Sequence, residues 1–372
     1  MLCSQANCKY NALYALNELS FCGTHFRMQY NKINKTNHKS VKILGEADSL
    51  TKYMLNLSIN KKEHEKKQPS KTVDIPVNDY TDVLCILNKH FKDVFSIESV
   101  LGVGAFGEVY KLKKDNKFYA LKIAYRKAGT NLKTLKQAMN TIHSEYTFCN
   151  ITMQSKGTNI NLSKVVNIDR KIGYGFKNNE YCFIILEYYY ETLTSRIERT
   201  RRNDMFIKSV GTQLLKIFEY IHGFRSIYND LKPDNIMLRE KDSDEVVLID
   251  FGLISLYKDL RNNHVRYVKK NTDSIMGNVL YSGIDNIEKY PSSRRSDVES
   301  IFFILADMYF EGANFLNVAL DNENKIIEDK KKYYKSDKFN QLPNFLQEFL
   351  KEIKGCEFED KPNYDKLKTI LK

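Results

Sequence analysis

Tryptophan is absent from the 372 residues, no apolar run approaches the length of a membrane span, and the seven cysteines are too few and too scattered to pair completely. Each absence excludes something. The longest strongly apolar stretch is Ile301 to Ala306 with its flanks, far short of the roughly 20 residues a spanning helix needs. The N-terminus carries no charged-then-apolar leader, so an intracellular protein is expected. An odd cysteine count argues against a disulfide framework and for reduced thiols. Acidic residues are also in short supply, with 46 Asp and Glu against 58 Lys and Arg, for a net charge of +12. That balance favours anionic partners: nucleotide, phosphoprotein, acidic segments, nucleic acid or a membrane surface. Charge alone does not choose among them. Heavy use of Asn, Lys, Ile and Tyr says more about the coding genome than about function. The length suits about two or three domains, and a hydrophobic content of 42% is enough for a sizeable core.

The most informative stretch is Tyr228 to Gly252. Asp230, Lys232, Asn235 and Asp250 surround two short apolar runs, Ile236 to Leu238 and Val246 to Ile249. These runs read as strands, joined by the charged connection Arg239 to Glu245. Antiparallel pairing would bring Asn235, just before the first strand, to the same end as Asp250, just after the second. Two oxygen ligands would then converge, an arrangement suited to Mg²⁺ bound jointly with substrate phosphates and so to phosphoryl transfer.

Residues 1–30 stand apart. Cys3, Cys8, Cys22 and His25 follow the pattern C-x4-C-x13-C-x2-H, a ligand set for tetrahedral structural Zn²⁺. A segment this small cannot bury its own core, so a metal would have to hold it together. Residues 31–90 mix Lys and Asn runs with weak apolar patches and read largely as a solvated linker. The run Lys61 to Lys67 contains two Glu, which favours a solvated helix face over a nucleic-acid contact. From Val83 to Phe95 apolar spacing returns, and this segment is expected to pack on the domain that follows.

Leu101 to Tyr110 contains G-x-G-x-x-G at Gly102, Gly104 and Gly107. Dinucleotide-binding folds use the same spacing, but they need a helix next and an acid about 20 residues on. Here the sequence continues as strand, turn and strand, and that position is Lys122. The glycines therefore belong to a flap whose backbone can lie over nucleotide phosphates, with Lys122 placed to reach them. Leu132, Leu135, Met139, Ile142 and Tyr146 recur at helical spacing. Glu145 on that helix is the candidate ion-pair partner of Lys122. Cys182 to Leu186 reads as a buried strand leading into a connection between two lobes, where an adenine would dock beside Leu186.

In this order and spacing the motifs resemble those of protein kinases. From about residue 95 onward the chain resembles the casein kinase 1 group, including its vaccinia-related relatives. Four features carry the narrower match: Asp250 to Leu253 followed by Tyr257-Lys258-Asp259; GNVLYSGID at Gly277 to Asp285, where most kinases show A-P-E; Ser293 to Ser300, similar to S-R-R-x-D-x-E-S; and Phe358 to Tyr364, similar to F-x-D-K-P-x-Y. The resemblance implies an α+β bilobal fold over 91–372, with a β-rich lobe carrying one main helix, a mostly helical lobe, and the nucleotide in the cleft. It implies a Ser/Thr protein kinase using ATP and Mg²⁺. Asp230 would be the catalytic base and Lys232 would steady the transferring phosphoryl group. Gly102, Val103, Gly104, Gly107, Val109, Ala120, Lys122, Glu145, Leu186, Glu187 and Tyr189 would serve the nucleotide. Asn235 and Asp250 would hold the metal, and Asp297 would brace the catalytic loop. Protein substrates are the implied partners, with acidic ones favoured by the net charge.

Departures from the pattern sharpen these expectations. The usual H-R-D is Tyr228-Asn229-Asp230, so the Arg that pairs with a phosphorylated activation loop is missing and constitutive activity is expected. Leu280 stands where casein kinase 1 relatives place an Arg for substrate phosphate, so a preference for primed substrates is not expected. Asn278 replaces a Thr that usually faces the catalytic loop, though an amide can still hydrogen-bond. Phe310 to Lys325 lacks the usual Pro-Trp, so the lower lobe is expected to be remodelled there. The sequence ends just past the fold, without the group's long autoinhibitory tail. An alternative is a catalytically inactive kinase fold serving as scaffold or adaptor, its N-terminal region binding nucleic acid or a protein. It calls for a missing metal ligand or strand lysine, and none is missing. The composition and the Cys/His module fit a kinase from a large DNA virus.

Overall fold

The computed structural model describes residues 80–372 apart from 93, 105, 155–159, 260–261, 272–274, 276, 313–314 and 317–322, together with three short strands nearer the N-terminus. The chain divides into two units, residues 1–64 with 258–265, and residues 65–257 with 266–372. In the first, β1 (Tyr14–Leu16) lies between β2 (Leu19–Phe21) and β3 (Lys42–Ile43) in an antiparallel sheet. The expected zinc ligands Cys3, Cys8, Cys22 and His25, and the basic run Lys61 to Lys67, lie outside the described residues.

The second unit begins with α1 (Thr81–Phe91) and a five-stranded antiparallel sheet. The sheet comprises β4 (Ser96–Gly104), β5 (Gly107–Lys114), β6 (Lys117–Tyr125), β7 (Tyr174–Lys177) and β8 (Tyr181–Glu187), in the order β4-β5-β6-β8-β7. Successive strand residues face opposite sides, and the two faces carry different loads. Tyr110, Leu112, Leu121, Ile123, Phe183 and Ile185 form a buried cluster with Val83, Ile86, Leu87 and Phe91 of α1. The opposite face carries Lys122, registered with Val109 on one side and Ile184 on the other. Strands β6 and β8 also pack against α2 (Leu132–Gln154). Of the apolar stripe expected there, Leu135, Met139 and Ile142 are buried, Leu132 is exposed, and Tyr146 stacks on Tyr174. Leu132 opens the helix, one turn before it reaches the sheet.

The larger lobe is built on α4 (Asp204–Gly223) and α6 (Arg294–Tyr309). Nearly every residue of α6 is buried: its middle, Ile301 to Ala306, is apolar on every side, while its first turns bury Arg294, Asp297 and Glu299, which are charged groups that need polar partners there. Ser293 and Ser296 close its N-terminus as a capping box. Helix α4 starts at Asn203, whose side chain accepts from the N–H groups of Met205 and Phe206. On α6 pack α4 and α9 (Asn344–Lys354); α10 (Tyr364–Ile370) lies on α4. Smaller pieces complete the lobe: α3 (Leu193–Arg199), α5 (Ile284–Ile287), α7 (Glu323–Lys332) and α8 (Asp337–Asn340). No described helix is long and apolar enough to cross a membrane.

Against α4, β9 (Ile236–Leu238) and β10 (Val246–Leu248) form the expected antiparallel hairpin, with Ile236 opposite Leu248. Pro233 to Asn235 form a single 3-10 turn before it.

Candidate active site

The hairpin register sets the site. The N–H of Ile249 donates to the carbonyl of Asn235 at 3.0 Å, so Asn235 and Asp250 emerge side by side from neighbouring strand ends. The amide nitrogen of Asn235 donates to the Asp230 carbonyl at 2.8 Å and to Asp230 Oδ2 at 3.2 Å. Lys232 Nζ donates to the same Oδ2 at 3.1 Å. Asp230, Lys232 and Asn235 are thus one connected group, and Asp230 and Asn235 are buried.

Lys122 reaches across from the sheet. Its Nζ lies 2.9 Å from Glu145 Oε2 on α2 and 2.7 Å from Asp250 Oδ1. The expected Lys122–Glu145 ion pair is therefore formed. Burial works against the ammonium, but the two carboxylates outweigh it and hold Lys122 charged well above the usual range. Glu145 is raised by its complete burial, with Lys122 opposing and the Asp250 charge adding to the rise. For Asp250, burial is outweighed by Lys122 and by the Gly252 N–H, and its carboxyl titrates below the ordinary range. Side-chain accessibility is 1% for Glu145 but 28% for Asp250, so Glu145 is the structural anchor and Asp250 the member open to a ligand.

The donor set fits a hard cation. Lys122 and the Gly252 N–H both bind Asp250 Oδ1, which leaves Oδ2 for a metal. Asn235 commits its amide nitrogen to the loop, so its oxygen is the atom a metal would take.

Phe251 is fully buried, its ring 4.9 Å from that of Phe148 on α2 and 5.6 Å from that of Tyr228. With Phe251 packed inward, Asp250 stays turned to Lys122. Asp250 and Asn229 both adopt left-handed backbone, with φ of 59° and 71°, which Asp and Asn tolerate better than other non-glycine residues. Such strain persists where surrounding contacts over-determine it. Asn229 has those contacts: its amide nitrogen lies within 3.1 Å of the carbonyls of Ile227 and Leu253 and of Ser255 Oγ.

Asp297, at the start of α6, braces this loop as expected. Its two oxygens accept from the N–H groups of Tyr228 at 2.8 Å and Asn229 at 3.2 Å. Two further residues complete the brace: Tyr364, known from the sequence only as the end of a motif, and His222, for which the sequence held no signal. His222, at the end of α4, lies between Asp297 and the Tyr364 hydroxyl. Burial keeps its pKa below the usual value despite Asp297. A carboxylate only accepts, so Nε2 carries the imidazole proton and Nδ1 accepts from Tyr364. Tyr364 closes the Phe358 to Tyr364 motif, which ties that motif to the catalytic loop.

Several residues expected to serve a nucleotide lie on the face of the sheet that carries Lys122. Gly102 pairs with Val109, Val109 with Lys122, and Ala120 with Leu186, all on the Lys122 face of the sheet. Gly102, Val103 and Gly104 are exposed. Gly107 has φ of 116°, and a Cβ there would lie 2.4 Å from the Ile123 carbonyl oxygen, so that position requires glycine. Past Leu186 the chain turns at Glu187, whose Oε2 accepts from the buried Tyr189 hydroxyl at 2.9 Å. Glu187 and Tyr189 therefore shape the connection by binding each other.

The segment after the site departs from one expectation. The Asn278 amide oxygen accepts from the N–H groups of Leu280 and Tyr281 and so caps its own turn. Contact with the catalytic loop is made by backbone at Gly277. A Cβ there would lie 2.2 Å from the Asn229 carbonyl oxygen and 3.2 Å from Asp230 Oδ1.

Comparison with known proteins agrees with this geometry. The model of the protein kinase domain matches residues 95–367. A probable casein kinase I homolog of Encephalitozoon cuniculi is 29% identical over 294 residues, covering 74% of this chain and 83% of its own. A probable serine/threonine-protein kinase of Fowlpox virus is 25% identical, covering 74% and 94%. The solved structure of vaccinia related kinase 3 superposes with a TM-score of 0.59 at 19% identity, covering 74% of this chain and 85% of that one, a likeness of fold. With the family's domain matched over most of its length and its ion pair and hairpin assembled in space, the chain belongs to the protein kinase family.

Proposed function

We propose that this chain transfers the γ-phosphate of ATP to Ser and Thr hydroxyls of proteins, with Asp230 as catalytic base. The observation that carries the reading is Lys122 bridging Glu145 and Asp250, with Phe251 fully buried: the lysine–glutamate pair that a working kinase site requires is formed, and the aspartate that would take the metal is beside it. Ser/Thr specificity rests on relatives described as serine/threonine-protein kinases.

Asp230 accepts the proton of the acceptor hydroxyl as its oxygen bonds to the γ-phosphorus, and the bond from that phosphorus to the bridging oxygen breaks to release ADP. Lys232, beside Asp230, offsets charge on the transferring group. Lys122 holds the α and β phosphates, and Glu145 fixes Lys122 in turn. Gly102, Val103, Gly104 and Gly107 bring backbone N–H groups toward the phosphates, while Val109, Ala120 and Leu186 enclose the base, with Glu187 and Tyr189 at its edge. The Asn235 amide oxygen and the Asp250 carboxylate would hold Mg²⁺, which would offset negative charge on the phosphates.

The Asn229 amide supports a site that works without loop phosphorylation. It bonds the Leu253 carbonyl and Ser255 directly, linking the catalytic loop to the segment after Gly252 with no phosphate needed. The test is Mg-ATP transfer to a casein and histone panel, with Asp230→Asn and Asp250→Ala beside the wild type. Label on Ser or Thr that disappears in both variants is expected; retained transfer by D230N overturns the assignment.

A further inference from the structure

Lys330 on α7 is the most deeply buried lysine among the described residues, at 2% exposure. Its Nζ donates to the carbonyls of Val279 at 3.0 Å, Leu280 at 2.9 Å and Ser282. Three carbonyl acceptors are all matched only by the three N–H groups of an ammonium, since a neutral amine has two; burial opposes that charge and pulls the Lys330 pKa down to about 7, with Glu299 working against the fall. The face of the Phe303 ring on α6 lies 3.9 Å from the same nitrogen, a further favourable contact for a cation. From the other side Glu299, also on α6, accepts from the N–H of Ile284 at 2.7 Å. A cation therefore gathers the carbonyls of the 279–282 turn while an anion holds the amide that follows it. Beside Lys330, Lys331 pairs with Glu288 at 3.1 Å at the end of α5, which fixes α7 alongside the same loop.

What this turn borders gives the arrangement its meaning. It begins at Gly277, whose backbone lies against Asn229 and Asp230, so it flanks the place where an acceptor hydroxyl must meet the catalytic base. Val279 and Leu280 are half-buried and remain partly accessible. The Asn278 cap and the Lys330 clamp together determine the turn's shape.

We propose that Lys330 is a positioning residue for the acceptor protein: its ammonium fixes the 279–282 turn beside Asp230 and so governs affinity for the phosphorylated protein rather than the rate of transfer. The inference rests on the kinase reading and adds to it the element that seats the acceptor. Lys330 touches neither nucleotide nor the reacting atoms.

The experiment compares wild type with Lys330→Met, which keeps the stem and removes the charge, using dephosphorylated casein and Mg-ATP. Wild-type transfer establishes the parent reading independently. In K330M the KM for casein should rise at least about tenfold, a loss of the size seen when a buried charged hydrogen-bonding group is removed. The kcat should change much less and the KM for ATP should stay the same. Lys330→Arg, which keeps charge and donors, should recover part of the casein affinity. An unchanged KM for casein, or equal losses in kcat and ATP affinity, overturns the proposal. If K330M does not fold, the same measurement on Lys330→Gln, whose amide keeps donors for the carbonyls, decides by the same criteria.

Discussion

His222 donates from Nε2 to the carboxylate of Asp297 across 2.9 Å, and both groups are buried. A neutral imidazole is the form this pocket accepts, because burial depresses the His222 pKa from 6.5. The unfolded chain takes up the proton first as pH falls, so the stabilisation is complete above about pH 6.5 and is lost on acidification below it. The melting temperature should drop between pH 7.5 and 5.5, and the drop should be smaller in His222→Gln. His90 and His143 are depressed by burial as well and account for what remains. Equal drops in the two proteins would count against His222 as a contributor.

Lys122→Met should cost at least about 10²-fold in kcat/KM, the size of effect expected from losing a preorganised charge at a phosphoryl-transfer site. It also strands Glu145, a fully buried carboxylate, so a lower melting temperature should accompany the lost activity. Glu145→Gln removes that unpaired charge, and the double variant K122M/E145Q should melt higher than K122M alone. Thermal denaturation of the set measures it.

Asp230→Asn should retain Mg-ATP binding while losing transfer by about 10²-fold or more. Lys122, Glu145 and Asp250 are joined to one another without Asp230. Nucleotide titration beside a transfer assay separates the two properties, and weakened ATP binding in D230N would mean that Asp230 also supports the nucleotide pocket.

Phosphatase treatment of the wild type should leave kcat unchanged, because the Asn229 amide makes its link to Leu253 and Ser255 without a phosphate. Asn229→Ala should destabilise the protein by about 1–3 kcal/mol through acceptors left unpaired. A strong dependence of wild-type activity on prior phosphorylation would rule out the built-in link.

The residues of the candidate site were legible because the proposed chemistry fixes both their types and their spacing. Asn235 and Asp250 could be brought together by strand pairing alone, and Lys122 stood out as a lysine where a dinucleotide fold would carry an acid. Glu145 followed from helical periodicity. What could not be read is held by long-range packing. Lys330 sits in a run with Lys331 and Lys332, whose side chains are 44% and 69% exposed. Only the i, i+4 relation to buried Ile326 sets Lys330 apart, and a charged residue on such a stripe reads as solvated. His222 is likewise one more residue at the end of an amphipathic helix until Asp297, 75 positions later, is brought against it. Asn278 kept its capacity to hydrogen-bond but spent it locally, as Asn does in turns.

Helix α1 has a practical consequence for anyone preparing this kinase in pieces. Its buried residues Val83, Ile86, Leu87 and Phe91 cover the outer face of the five-stranded sheet, whereas the family's matched domain starts only at residue 95. A fragment begun at that conventional border would leave Leu112, Leu121, Phe183 and Ile185 bare to water, a sticky surface prone to aggregation. An expression boundary at or before Tyr80 keeps the sheet covered.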